Sequence, residues 1–268
     1  MTSFPPFTQA ADVRLREDRL CYSICTLVTK VDDYQKMTAS FQQGGFTSAD
    51  CEYLFLDNRG ANSFDAFQGY NIFLSAARGD YIILCHQDIE LLENGRADLD
   101  ALLESLTQHD RNWGLCGNAG GIRPGALALR ISDPHGANVA QGGPFPAKVT
   151  SLDENFIVVR RDANLALSNN LSGFHLYGTD LCIISYILGY HAYVIDFHLL
   201  HKSPGKTDHT FFKLKHELID KYYRALRPRW VTTTCTLCFI SGHFLLNIIM
   251  NSSIGRKIIK RIGKRTPR

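Results

Sequence analysis

The sequence predicts an α/β protein with a mostly parallel, twisted sheet flanked by helices, in a Rossmann-like arrangement. Three segments, at 20–28, 51–57 and 81–85, are rich in the apolar and β-branched residues that buried strands favour. Segments with helical spacing of apolar residues lie between them. Strands that alternate with helices in this way indicate a doubly wound sheet, whose ligands bind beyond the carboxyl ends of the strands.

Local signals define the elements of the N-terminal half. The apolar run LCYSICTLV is the first strand, and a helix is predicted over 32–43 because two glycines follow it. The second strand, CEYLFLD, ends in Asp57. Ser63 is the predicted N-cap of the next helix, which Gly79 ends, and the third strand, YIILC, follows Asp80.

The second half of the chain is less regular. Residues 114–146 are dense in glycine and proline, which indicates turns between short strands. Beyond them, FIVVRR predicts a strand, GTDLCIISYILG a helix and HAYVIDF another strand. A last helix is predicted from His209 to about Leu226.

Composition favours a globular protein in a reducing, cytoplasmic compartment. Hydrophobic residues make up 45% of the chain and charged residues 21%. The eight cysteines include one CxxC pair, Cys235 and Cys238, without a second pair, so we expect neither a zinc site nor a disulfide framework. Residues 1–19, a predicted N-terminal extension, lack the basic and apolar pattern of a secretory signal.

A C-terminal segment at 227–268 follows a predicted main domain at 20–226. Its last 13 residues, RKIIKRIGKRTPR, hold seven of the 29 Lys and Arg residues and none of the 26 acidic ones. Isoleucines share one face of the predicted helix and basic residues cover the rest, as in helices that lie on anionic lipid. We expect peripheral contact with the inner face of the cell membrane; a solvated tail is the alternative. Nucleic-acid binding is not expected, because no aromatic residue interleaves with the charges.

The segment HQD, directly after the third strand, contains the first candidate for a metal ligand. Asp88 offers the carboxylate oxygen that Mg²⁺ or Mn²⁺ prefers. An aspartate at this position also caps turns and helices, so both roles stay open on this segment alone. His86 is a further candidate contact, although a histidine at a strand end is more often structural.

From Cys21 to Lys221 the order of motifs resembles the family 2 glycosyltransferases of GT-A fold, of the bacterial polysaccharide-biosynthesis type. HQD stands where that family has a DXD or NPD motif, with His86 at the first acidic position. CTLVTK and LDN resemble the family's first two strand ends. The resemblance implies that the donor nucleotide contacts the following residues: Thr26, Val28, Asp57, His86, Gln87 and Asp88.

Two later motifs complete the resemblance. FHLYGTDLC is similar to the family's acceptor-side motif at the start of a helix, which implies that Asp180 is the catalytic base. An aspartate in a first helical turn is also stabilised by the helix dipole alone. HKSPG is similar to an H-x-S-x-G loop, which implies that His201 joins Asp88 around the metal. Lys202 and Lys206 are candidate contacts for phosphate.

The resemblance implies an inverting, metal-dependent, hexosyltransferase-like enzyme. It would move a sugar from a nucleotide-sugar, with UDP as the expected nucleotide, to a glycan or lipid-linked acceptor, with Mn²⁺ or Mg²⁺ as cofactor. The alternative is a non-catalytic nucleotide-sugar-binding or membrane scaffold protein of the same fold. A nucleotidyltransferase is disfavoured because no glycine-rich, basic loop follows the first strand.

Overall fold

A computed structural model describes residues 20–205 and 207–263. The predicted N-terminal extension, Lys206 and residues 264–268 lie outside this part of the chain. The chain divides into two compact units, Met1–Leu214 and Lys215–Arg268.

The strands and helices are given in chain order. The first part of the chain contains β1 (Tyr22–Val28), α1 (Val31–Gln43), β2 (Cys51–Asp57), α2 (Ala66–Ala76), β3 (Tyr81–Cys85), β4 (Ile89–Leu91), α3 (Arg96–His109), β5 (Trp113–Gly117), β6 (Ala119–Arg123), β7 (Ala126–Asp133) and β8 (Gly136–Gln141). The later part contains β9 (Ala147–Val149), β10 (Ser151–Leu152), β11 (Phe156–Arg160), α4 (Tyr177–Ile187), β12 (His191–Val194), β13 (Leu199–His201), α5 (His209–Ala225), β14 (Arg229–Thr232), β15 (Leu237–Ile240), α6 (Phe244–Asn251) and α7 (Ser253–Gly263).

Within the described residues, the main sheet has seven strands in the order β2-β1-β3-β11-β5-β12-β9. The pairs β1/β2, β1/β3 and β5/β12 are parallel, whereas β11 runs antiparallel to both of its neighbours and β9 runs antiparallel to β12. The predicted α/β architecture, a twisted sheet flanked by helices, is therefore confirmed. Half of the pairings are antiparallel, so the sheet is less parallel than predicted.

The core forms where helices cover the main sheet. Strand β1 is buried along almost its whole length, as a strand covered on both faces must be. Helix α1 packs Met37 and Phe41 inward, one helical turn apart. The aromatic residues Tyr22, Phe46 and Trp113 are fully buried in the same cluster. This apolar core fixes the positions at which the strands end.

A second sheet lies at the carboxyl end of the first, because β4, β6 and β13 follow β3, β5 and β12 in the chain. Within the described residues its strand order is β10-β6-β7-β13-β4, and β8 pairs with β7. The short strands β4 and β13 pair antiparallel, with His201 opposite Ile89. This pairing carries the chain after β12 back to the end of β3, which is where the candidate site lies.

The unit Lys215–Arg268 contains a hairpin and two short helices after α5. Strands β14 and β15 pair antiparallel, and Trp230 packs edge-on against Phe239 with 5.2 Å between ring centroids. Helix α6 follows the hairpin, and α7 follows α6. Among the described residues, no helix combines the length and the apolar character that crossing a membrane requires.

Candidate active site

Three side chains that are distant in the sequence meet at the carboxyl end of β3. His86 and Asp88 follow β3 directly, and His201 is the last residue of β13. The pairing of β13 with β4 and a hydrogen bond from the Lys202 backbone N–H to the Asp88 carbonyl oxygen (3.1 Å) hold the two segments together. The predicted convergence of Asp88 and His201 is therefore present in the fold.

The donor atoms of these three residues are close enough to share one cation. His86 Nδ1 lies 3.3 Å from His201 Nε2, which lies 3.6 Å from Asp88 Oδ1. One ligand atom from each residue falls within 4.8 Å of the others. Atoms that share an ion at about 2.1 Å are roughly 3 to 3.5 Å apart, so small adjustments would close the set. Two imidazoles and a carboxylate are a donor set that divalent transition metals accept.

The protonation states of the cluster also suit a metal. Burial disfavours ionisation of Asp88, but the hydrogen bond and charge of His201 outweigh it and hold the pKa of Asp88 well below its usual range. Burial and the neighbouring His201 lower the pKa of His86. An ionised carboxylate and a neutral imidazole are the forms that ligate metals.

Tyr177 contacts the nitrogen of His86 that faces away from the cluster. The buried Tyr177 hydroxyl lies 3.1 Å from the Glu154 carbonyl oxygen, 3.0 Å from His86 Nε2 and 3.4 Å from the Tyr70 hydroxyl. When it donates its single proton to the carbonyl oxygen, its own oxygen can accept from Nε2–H, and Nδ1 then keeps its lone pair toward Asp88 and His201. A partner of this kind orients a ligating imidazole. Tyr177 lies inside the FHLYGTDLC motif, but nothing in that motif predicts a contact between its hydroxyl and His86.

Gln87 connects the cluster to the end of β1. Its Oε1 accepts from the backbone N–H groups of Thr29 (2.9 Å) and Lys30 (2.8 Å), and its Nε2 donates to Thr29 Oγ1 (2.6 Å). The amide is thus occupied in holding the loop after β1. Gln87 lies at the predicted nucleotide side of the sheet, but its present contacts are structural.

The three residues predicted to contact the base have different surroundings. Thr26 is fully buried, and its hydroxyl lies 3.4 Å from Cys85 Sγ. Val28 is also buried, in parallel register with Asp57. Asp57 is open to solvent and makes a two-oxygen ion pair with Arg59, whose hydrogen bonds lower the pKa of Asp57 to about 2. Of these three side chains, that of Asp57 is the one exposed to solvent at the end of its strand.

Asp180 occupies a closed position in the first turn of α4. It is fully buried, its Oδ1 accepts from Ser168 Oγ (2.7 Å) and its Oδ2 accepts from the Ser168 backbone N–H (2.9 Å). These contacts fix the loop before α4. A catalytic base must reach the acceptor hydroxyl, and in this structure both oxygens of Asp180 accept hydrogen bonds from Ser168.

A second carboxylate lies beside His86 and is open to solvent. Asp153 is exposed, and its Oδ1 accepts from the Asn155 backbone N–H (3.0 Å) and side-chain Nδ2 (2.5 Å). The Asn155 carbonyl oxygen accepts from the His86 backbone N–H (3.0 Å), which anchors the turn to the cluster. Burial and the charge of Asp153 raise the pKa of the adjacent Glu154 to about 8, so Glu154 is mostly protonated at neutral pH.

Of the two lysines predicted to contact phosphate, Lys202 lies within the described residues. Lys202 lies next to His201, but its Nζ is paired with the Glu90 carboxylate, which compensates its charge. Lys206 lies outside the described residues. The positive charge of Lys202 is therefore compensated by Glu90 rather than left for a phosphate.

The fold is that of the GT-A glycosyltransferases. The mannosyltransferase PcManGT from Pyrobaculum calidifontis, in complex with GDP-Man and Mn²⁺, is 10% identical, with a TM-score of 0.51 over 78% of this chain and 65% of that one. GalNAc-T7 with UDP, GalNAc and Mn²⁺ is 9% identical, with a TM-score of 0.47 over 70% of this chain and 45% of that one. The chain spans less than two-thirds of either protein.

Sequence similarity identifies a relative of nearly the same length. No protein-family model matches the chain. A protein of Fuscovulum blasticum, described as ATP synthase subunits region ORF 6, is 39% identical over 230 residues, which are 84% of this chain and 90% of that protein. At this identity and coverage, the chain belongs to the same family as the ORF 6 protein of the F. blasticum ATP synthase subunits region.

Proposed function

We propose that the protein is a metal-dependent glycosyltransferase that moves a sugar from a nucleotide-sugar to an acceptor hydroxyl with inversion. The observation that carries this proposal is the His86–Asp88–His201 cluster at the carboxyl end of β3 in a GT-A fold. Ligands of open α/β sheets bind at that edge. The mannosyltransferase of the same fold binds GDP-Man and Mn²⁺, which supports a nucleotide-sugar and a metal as ligands here as well.

His86, Asp88 and His201 would hold the cation. When bound, the metal would neutralise the negative charge that develops on the nucleoside diphosphate as the bond to the sugar breaks. Two imidazole nitrogens favour Mn²⁺ over Mg²⁺, because nitrogen ligands gain relative to oxygen ligands toward the later first-row metals. A hydrogen bond from His86 Nε2–H to the Tyr177 oxygen would keep the His86 ring in the ligating tautomer.

An inverting transfer also needs a carboxylate that takes the proton of the acceptor hydroxyl as its oxygen attacks the anomeric carbon. Asp180, the residue that the resemblance implies, has both oxygens bonded to Ser168 in a closed position. Asp153 is exposed beside His86 and is steadied by Asn155. We therefore propose Asp153 as the proton acceptor and Asp180 as the residue that positions the loop before α4.

The resemblance to family 2 enzymes supports a UDP-sugar as donor and a glycan or lipid-linked molecule as acceptor. The family resemblance also supports a role in polysaccharide biosynthesis at the cytoplasmic face of the membrane. Because PcManGT is bound to GDP-Man, guanine nucleotides belong in the first test. A thermal-shift series with UDP, GDP and CDP in the presence of Mn²⁺ identifies the nucleotide that stabilises the folded chain.

Donor hydrolysis tests the proposed function. The purified chain should release nucleoside diphosphate slowly from one member of a panel of UDP- and GDP-sugars, and only with Mn²⁺ or Mg²⁺ present. Asp88→Ala should lower this rate by about 100-fold or more, because the metal supplies several kcal/mol of charge stabilisation. Glu104→Ala, a change at an exposed acidic position of α3, is the matched control and should retain the rate.

Two results would contradict the proposal. Retention of full hydrolysis by Asp88→Ala would remove the metal cluster from the chemistry. Tight binding of a nucleotide-sugar without hydrolysis or transfer to any acceptor would instead favour the non-catalytic binding protein.

A further inference from the structure

Helix α6 turns its polar residues inward, toward the hairpin that precedes it. The Asn251 side chain donates to the Phe239 carbonyl oxygen (2.9 Å) and accepts from the Phe239 backbone N–H (2.8 Å), as a neighbouring strand would. One turn earlier, Asn247 Nδ2 donates to the Ser241 carbonyl oxygen (2.7 Å). These hydrogen bonds fix the rotation of α6 about its own axis.

The apolar residues of α6 consequently face solvent. Phe244 is 76% exposed, Leu245 70%, Ile248 55% and Ile249 60%. A helix of a water-soluble domain normally buries such residues and exposes its amides. A contiguous apolar surface of this kind marks a site where something other than water makes contact.

Helix α7 adds further apolar groups and positive charge. Ile254 and Ile258, one turn apart, are 69% and 53% exposed. Arg256, Lys257 and Arg261 are exposed on the same helix. Residues 227–268 hold nine of the 29 Lys and Arg residues and none of the 26 acidic ones. The surface is therefore apolar and cationic.

We propose that α6 and α7 bind the surface of an anionic lipid bilayer, with the exposed side chains of Phe244, Leu245, Ile248 and Ile249 in the acyl boundary. The basic residues of α7 would lie among the headgroups, which is the arrangement of interfacial helices. Charge complementarity favours this occupant over a second copy of the chain, because two copies would bring like charges together. Nucleic acid would satisfy the charges but not the apolar residues.

Vesicle flotation of the full chain tests the proposal. The protein should float with vesicles that contain phosphatidylglycerol and bind much more weakly to vesicles of phosphatidylcholine alone. Ile249→Asp should weaken binding by about tenfold or more, because it removes an inserted side chain and adds a charge that anionic lipid repels. Ile187→Asp is the matched control: Ile187 is 57% exposed, close to the 60% of Ile249, and lies on α4. This control should bind as the native chain does.

The charges are tested separately. Arg256→Gln together with Lys257→Gln should weaken binding to anionic vesicles by about fivefold per charge, with a reduced dependence on salt. Arg123→Gln with Lys148→Gln, at exposed positions of β6 and β9, is the control pair. All variants should keep the hydrolysis of a soluble donor, so failure of lipid binding and failure of the proposed enzyme activity are distinguishable.

Two results would overturn the proposal. The first is absence of flotation with either kind of vesicle. The second is self-association that increases with protein concentration and that Ile249→Asp abolishes, in a chain that does not bind vesicles. A second copy of the chain would then cover the apolar surface.

Discussion

At the scale of single residues, Tyr177 shows how a hydrogen-bond partner prepares a ligand. Its hydroxyl lies 3.0 Å from His86 Nε2, and the ring presents Nδ1 to His201 at 3.3 Å. The sequence motifs identified Asp88 and His201 correctly as neighbours. These motifs do not predict the tautomer of His86, because it depends on a tyrosine 91 positions away.

The two candidate proton acceptors give a prediction at the same scale. Asp153→Asn should lower kcat by about 100-fold or more while Mn²⁺ and nucleotide still bind, because general-base catalysis is lost. Asp180→Asn should keep kcat within a few-fold of the native value. Steady-state kinetics and nucleotide binding of both variants check this assignment. A folded Asp180→Asn variant without turnover, beside an active Asp153→Asn variant, would contradict it.

Asp180→Ala tests the structural role of Asp180 through the stability of the protein. The change would leave the Ser168 hydroxyl and backbone N–H without their carboxylate partner in a buried position. A buried polar group without a partner costs about 1–3 kcal/mol, so a lower free energy of unfolding is expected in chemical denaturation.

At the scale of elements, periodicity predicts the first strands and the first helix closely but misses one long helix. The bounds of β2 and β3 agree with the sequence segments, and α1 begins one residue before its predicted start. No element was assigned over Arg96–His109, although Leu99, Leu103 and Leu106 recur there with helical spacing and are buried. Strands β4 and β13, with three residues each, are too short for any periodicity to show.

The start of α2 differs from its prediction for a physical reason. The Asn58 side chain exchanges two hydrogen bonds with the Phe64 backbone, so Ser63 lies in a loop and Asp65 becomes the N-cap. The Asp65 side chain accepts from the Gln68 backbone N–H. Asp65→Ala should therefore lower the free energy of unfolding by about 1 kcal/mol.

Ser63→Ala is the control for the Asp65 substitution and should leave the stability unchanged. Urea denaturation of the two variants beside the native chain measures the difference. Equal stability of Asp65→Ala and the native chain, or a larger loss from Ser63→Ala, would show that the cap lies elsewhere.

At the scale of the whole molecule, the candidate site depends on contacts between distant parts of the chain. The antiparallel pairing of β13 with β4 brings His201 to Asp88 across more than a hundred positions. The family-like order of motifs predicted this meeting, whereas composition and spacing could not. The outward-facing apolar surface of α6 likewise depends on the hydrogen bonds between the Asn251 side chain and the Phe239 backbone of β15. The sequence pattern does not predict these hydrogen bonds.

Anomalous diffraction at the manganese edge, from crystals grown with Mn²⁺ and the stabilising nucleoside diphosphate, tests the central claim most directly. The account predicts one peak within bonding distance of His86, Asp88 and His201, next to the diphosphate, and its loss in Asp88→Ala. A peak at another part of the chain, or a bound nucleotide remote from these three side chains, would contradict it.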